Sequence, residues 1–181
     1  MSRELTHFSY MVLGLVGREG LSPYDLQQMV RRGRIYDWVG ESQYYVEPKR
    51  LARLGYLDAR KEPGKTRERT VYTLTEQGLE ALREWAPTPV RYPRMEHEAL
   101  TRLLVADLVG AEVTRETFGT LRDELADLRA RLDESVATAE QLPHRRDQLL
   151  LAIDFLRRLL DLHDDLVDDC LLYTSPSPRD S

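Results

Sequence analysis

"SQYYVEPKRLARLGYL", residues 42–57, is the stretch on which the reading of the chain turns. At helical spacing Tyr44, Pro48, Leu51 and Leu54 or Gly55 fall on one side. Ser42, Tyr45, Lys49 and Arg53 fall on another, with Arg50 beside them. The segment is therefore expected to be a helix with a core side and a basic, hydroxyl-bearing side. Pro48 lies in its interior, where proline removes a backbone hydrogen bond and costs roughly 3 kcal/mol unless the chain bends. Either the helix bends there, tilting residues 42–45 relative to Lys49 and Arg50, or Pro48 opens the regular helix after a separate turn. On the first reading Pro48→Leu is expected to stabilise the helix.

Two short helices are expected upstream. "THFSYMVLGLVGREG" (residues 6–20) spaces Phe8, Met11, Val12, Leu15 and Val16 at helical period, and Gly17 and Gly20 end it. "SPYDLQQMVRRG" (22–33) has Ser22 as N-cap, Pro23 at the first helical position and Asp25 in the first turn. Downstream the period changes. "YLDARKEPGKTRERTVYTL" (56–74) is two extended runs around Pro63-Gly64, with Lys61, Lys65, Arg67 and Arg69 outweighing Glu62 and Glu68 at the tip. Thr75 then caps "TEQGLEALREWA". Three helices, a basic hairpin and a further helix is the order of a winged helix-turn-helix.

The prolines of "PTPVRYPR" (87–94) mark a boundary. Three helical segments follow, at about 95–109, 114–141 and 144–169. Phe118, Leu121, Leu125, Leu128, Leu132 and Val136 line the second; Leu149, Ile153, Leu156, Leu160 and Val167 line the third, with Pro143 between them. Such seams read as an antiparallel helical hairpin. The expected architecture is mainly α: a winged helix-turn-helix domain over 1–86, a Pro-rich linker over 87–94 and a helical domain over 95–169. From Cys170 to Ser181 the composition breaks abruptly. That stretch reads as translated library-adapter sequence and is set aside, so the native C-terminus is expected to be missing.

The formal net charge is -5, but it is unevenly placed. Residues 1–93 carry 15 Lys+Arg against 12 Asp+Glu, and the remainder 11 against 19. The location of charge, rather than its total, bears on partners. At 41% hydrophobic and 31% charged residues the composition is that of a folded chain rather than a disordered one. The apolar runs are too short to span a bilayer and no signal peptide opens the chain, so a cytoplasmic location is expected. One cysteine excludes a disulfide framework. "HDD" (163–165) could suggest a metal ligand set, but adjacent helical residues diverge, and a solvated acidic face is the preferred reading. No Ser/His/Asp arrangement or phosphate-cradling Gly loop is visible. No catalytic residue, cofactor or metal is expected, and the chain is not read as an enzyme.

Three blocks, "FSYMVLGLVGREGLSPYDL", "SQYYVEPKRLARLGYL" and "RTVYTLTEQGLEALREW", together resemble the PadR family of bacterial transcriptional regulators. Ser42, Tyr45, Arg50, Leu51, Gly55, Tyr72, Leu74, Thr75 and Gly78 stand at its motif places; Tyr44, Val46 and Pro48 depart from it. The resemblance implies a homodimer paired through its C-terminal helices, usually repressing from a palindromic site in double-stranded DNA. It also implies relief by a small hydrophobic or phenolic effector.

On that reading the third helix enters the major groove. Ser42, Gln43, Tyr45 and Lys49 come near base edges and phosphates, and Arg50 and Arg53 hold the backbone. Lys65, Thr66 and Arg67 at the wing tip follow the minor groove, and Ser22 and Tyr24 meet another phosphate. Tyr44 is expected to pack. Trp38 and Trp85 read first as core, with Trp85 the candidate wall of an effector cavity. The helical seam is either internal to one hairpin or a dimer interface, the second being preferred. The rival function is a helical interaction or scaffold module that keeps the winged domain without reading DNA.

Overall fold

The computed structural model describes residues 5–33, 39–64, 68–93 and 96–173. The chain forms two compact units, residues 1–92 and 93–181. In the first, α1 (His7–Val16), α2 (Pro23–Gly33) and α3 (Gln43–Arg53) precede β1 (Leu57–Glu62), β2 (Arg69–Leu74) and α4 (Glu76–Trp85). This is a mostly helical fold with a two-stranded antiparallel wing, as the order of periodicities implied.

Local chemistry sets each boundary. Thr6 and Ser9 form a reciprocal capping box, so two amides at the start of α1 are satisfied by two hydroxyls. Ser22 Oγ accepts from the Asp25 amide at 3.2 Å, capping α2. α3 is continuous from Gln43 to Arg53 with Pro48 inside it, so no separate turn precedes the proline. The Pro48 ring is wholly buried. Leucine there would regain the missing helix bond but would have to enter filled space, so the two effects oppose one another. α3 ends in a Schellman turn, with Gly55 N–H on Ala52 O and Tyr56 N–H on Leu51 O. Gly55 takes φ 83°, which favours glycine.

β1 and β2 pair from Leu57 opposite Leu74 to Glu62 opposite Arg69. A further bridge joins Leu21 to Tyr72, each amide donating to the other's carbonyl at 3.0 Å. Leu74 N–H also reaches Gly17 O at 2.8 Å. The α1–α2 connection is thus stitched to the wing strand. The core gathers Val12, Leu13, Val16, Leu26, Tyr44, Leu51, Leu57 and Tyr72 from α1, α2, α3 and the wing. Burying each such aliphatic side chain contributes about 1.5–3 kcal/mol before entropy is charged against it.

The second unit holds α5 (Glu98–Leu104), α6 (Ala106–Val109), α7 (Ala111–Glu140) and α8 (Arg146–Tyr173). The single helix expected over 95–109 is instead two, broken at Val105, whose ψ of 8° leaves the helical range. α7 begins at Ala111, and α8 runs past 169 to Tyr173 with Cys170 buried. Phe118, Leu125 and Leu132 pack with Leu160, Val167 and Cys170. Ion pairs step along the hairpin: Arg122 with Asp168, Arg129 with Asp161 and Asp164 (both 2.6 Å), Asp133 with Arg157 (2.6 Å), and Glu140 with Arg146 (2.7 Å). As one partner's number rises the other's falls, which is the antiparallel register. Exposed pairs of this kind contribute little stability but disfavour a slipped register.

Candidate nucleic-acid interface

The face of α3 turned to solvent carries Ser42, Gln43, Tyr45, Val46, Lys49 and Arg53. Tyr44, Pro48 and Leu51 are buried on the opposite side. The Ser42 hydroxyl makes no cap bond, so α3 does not consume it. Val46 is half exposed between Gln43 and Lys49, and sequence reading passed over it because its position suggested only a departure from a motif. A β-branched side chain set among polar ones is chemically suited to a thymine methyl. Its exposure was legible in the helical period.

Arg50 departs from its expected place. Its Nε and Nη2 donate to Glu47 at 2.8 and 2.7 Å, and Nη2 also reaches Ser9 Oγ at 3.1 Å. Ser9 in turn donates to Glu47 Oε1 at 2.6 Å. Glu47 is buried, and burial pushes its carboxyl up. Hydrogen bonds from Arg50 and Ser9, with the Arg50 charge, outweigh that and hold it below the usual glutamate range. The guanidinium therefore clamps α3 to α1. The sequence offered no sign of this, because Glu47 and Ser9 come from different helices.

Ser22 is buried, its hydroxyl shared between the Asp25 amide and the Asp25 carboxylate at 2.8 Å. Capping occupies it. Tyr24 beside it is 60% exposed. Arg69, opposite Glu62 at the tip end of the wing strands, bonds Asp25 at 3.3 Å and lies 3.7 Å from Glu62, tying β2 to the start of α2. Arg60 and Lys61 are exposed on β1. Lys65, Thr66, Arg67 and Trp38 lie outside the described residues. The unit thus presents the solvent face of α3, the exposed start of α2, and Arg60 and Lys61 on β1, with Arg69 tying β2 to the start of α2.

Trp85 stacks on Tyr10 with ring centroids 4.7 Å apart and planes 8° from parallel. Beside it is a cavity of about 190 Å³ lined by Leu5, Tyr10, Tyr56, Ala81, Glu84 and Trp85. Burial, Tyr56 and Glu84 together raise the Tyr10 phenol, which stays protonated there.

No protein-family model matches the chain. A curated relative, the negative transcriptional regulator PadR of Bacillus subtilis (strain 168), is 27% identical over 135 residues, covering 74% of this chain and 73% of the relative. The chain is PadR-like. Solved structures agree in fold. B. subtilis PadR in complex with operator DNA matches 91% of this PadR-like chain and 99% of its own, with TM-score 0.66 and 20% identity. The same protein has been solved with p-coumaric acid (TM-score 0.56, 20% identity, covering 90% of this chain and 98% of that one). The Vibrio cholerae virulence activator AphA matches with TM-score 0.67 and 20% identity, covering 91% and 96%. None of the described helices is long and apolar enough to cross a membrane.

Proposed function

We propose that this PadR-like chain is a DNA-binding transcriptional regulator that works as a homodimer and represses from a palindromic site in double-stranded DNA. The observation that carries the reading is the solvent face of α3, where hydroxyl, amide, methyl and cationic groups share one side of a helix fixed by Glu47, Arg50 and Ser9. Ser42, Gln43, Tyr45 and Val46 read base edges, and Lys49, Arg53 and Tyr24 meet phosphates. Arg50 acts through orientation, and Ser22 through the cap that sets Tyr24. Lys65, Thr66 and Arg67 complete the wing's approach. The DNA-binding domain is residues 1–86 and the pairing domain 95–169, joined by 87–94, and the regulator acts in the cytoplasm.

Anisotropy binding to duplexes selected from a random pool, across a salt series, tests this. Log affinity is expected to fall linearly with log salt, with Lys49→Ala and Arg53→Ala each reducing the slope by about 1 per protomer. A protein that selects no sequence even at low salt would return the argument to the interaction-module reading.

Pairing is supported by a second apolar stripe on α8. Leu151, Phe155, Leu159 and Leu162 follow one another at helical spacing and stay exposed, Leu151 to 72% and Phe155 to 64%. That is more contiguous apolar surface than scattered exposure supplies. Phe155→Glu with Leu162→Glu is expected to convert a species of twice 21.0 kDa into one of 21.0 kDa with unchanged helicity. Sedimentation equilibrium reads this, and a wild-type monomer at micromolar concentration would refute it. The Trp85 cavity is our candidate effector site: its aromatic wall suits a flat hydrophobic or phenolic compound, the class seen with B. subtilis PadR.

A further inference from the structure

His97 and His163 meet with Nε2 2.7 Å from Nε2, their rings 4.7 Å apart and 12° from parallel. The outer nitrogens determine where the hydrogens sit. His163 Nδ1 lies 2.6 Å from the Leu159 carbonyl oxygen, which can only accept, so Nδ1 carries a hydrogen. In the neutral ring its Nε2 is then bare. The hydrogen between the rings therefore belongs to His97 Nε2, and His97 Nδ1 is bare in turn. Independently, the Leu100 amide donates to that same Nδ1 at 3.3 Å as the cap of α5. Donation runs one way throughout: Leu100 to His97 to His163 to Leu159. The one ring nitrogen of the pair not bound to hydrogen or receiving one from the other ring is the nitrogen that caps α5.

We propose that the His97–His163 pair is a proton-operated latch holding residues 97–104 on α8 when neutral and releasing them when protonated. The first proton must take His97 Nδ1, where it faces the Leu100 N–H and the positive end of α5. A second sets N–H against N–H and parts the rings. Little else secures this segment: α5 has no buried side chain, and only Ala99 and Leu103 of it pack partly against the hairpin core.

The charged surroundings come from three elements. Glu96 and Glu98 flank His97, and Glu98 binds Arg102 at 2.6 Å; Glu124 approaches from α7. On α8, Asp161 and Asp164 are both held by Arg129. Glu96, Glu98, Glu124 and both histidines line one cavity of about 590 Å³, so a proton has access. Burial, and then the neighbouring His163 imidazole, hold His97 below the ordinary imidazole range, outweighing a backbone hydrogen bond that opposes them. A lowered imidazole gives stability that is whole above its unfolded value, about 6.5, and lost as pH falls through the folded one.

The test uses the full chain with a chelator present, so that protons alone compete for the nitrogens. At about pH 7.5, ¹⁵N spectra of the imidazoles should show His97 as the Nε2–H and His163 as the Nδ1–H tautomer. Between about pH 7.5 and 5.5 the amides of 101–104 should lose about fivefold or more of their hydrogen-exchange protection, corrected for intrinsic rates. His97→Asn, which caps Leu100 with an oxygen that takes no proton, should flatten that profile. Both rings in the Nε2–H form at the higher pH, or the same loss of protection in H97N, would overturn the latch.

Discussion

Glu47→Ala is expected to cost about 3 kcal/mol and to lower the melting temperature of the N-terminal unit by roughly 12–24 °C. The Glu47 side chain is only 9% exposed, and it collects one bond from Ser9 and two from Arg50. Taking two charges out of water is unfavourable, and only their mutual attraction with full hydrogen bonding offsets it. Removing the carboxylate strips the guanidinium of its counter-charge while leaving it between α1 and α3. The damage should reach function through geometry: α3 loses the clamp that fixes its angle, and DNA affinity falls although no proposed contact residue has changed.

The same carboxylate sets an acid limit. Its folded pKa lies below the unfolded value of about 4.3, so the unfolded chain takes up the proton first. The contribution to stability is therefore whole above about pH 4.3 and disappears as pH falls through the folded value. Urea midpoints across that window should slope for the native chain and flatten for Glu47→Gln. Equal melting of native and Glu47→Ala proteins would show that the buried pair contributes nothing net.

Gly78→Ala sets two principles against each other. Helix propensity alone favours alanine over glycine by about 1 kcal/mol. Packing says otherwise: a Cβ on Gly78 would lie 2.3 Å from the Tyr56 carbonyl oxygen and 2.7 Å from Leu74 Cδ1. Backbone cannot yield as a flexible side chain can, and overpacking of this kind costs about 1–3 kcal/mol. We expect Gly78→Ala to be destabilising by about 2–3 kcal/mol, read as a lower urea midpoint at unchanged slope. The site is also where α4 is capped, Gly78 N–H donating to Thr75 Oγ1 at 3.0 Å while Thr75 Oγ1 donates to Gly55 O at 2.7 Å. The change therefore pushes α4 away from the loop that leads into the wing. A midpoint equal to or above that of the native chain would mean that the loop gives way freely.

Helix periods, caps and the change to extended runs after Gly55 were readable in one dimension, because each rests on neighbours within four residues. The partition of α3 into Tyr44, Pro48 and Leu51 inside and Ser42, Tyr45, Lys49 and Arg53 outside follows from the same 3.6-residue period. The winged order of elements follows from the change of period after Gly55. Three things were decided only in the tertiary structure. Arg50 looked like one more cation of the basic side; its partners Glu47 and Ser9 became partners when α1 met α3. His163 looked like part of a solvated acidic run, yet it faces His97 from 66 residues away. The helix expected over 95–109 broke at Val105, for which local propensity gives no reason. The sequence by itself determined the order of helices and strands in the N-terminal unit and which face of α3 is buried, since those follow from local spacing and apolar burial. Only the tertiary structure decided which polar groups meet across elements, since a hydrogen bond depends on positions that no local period encodes.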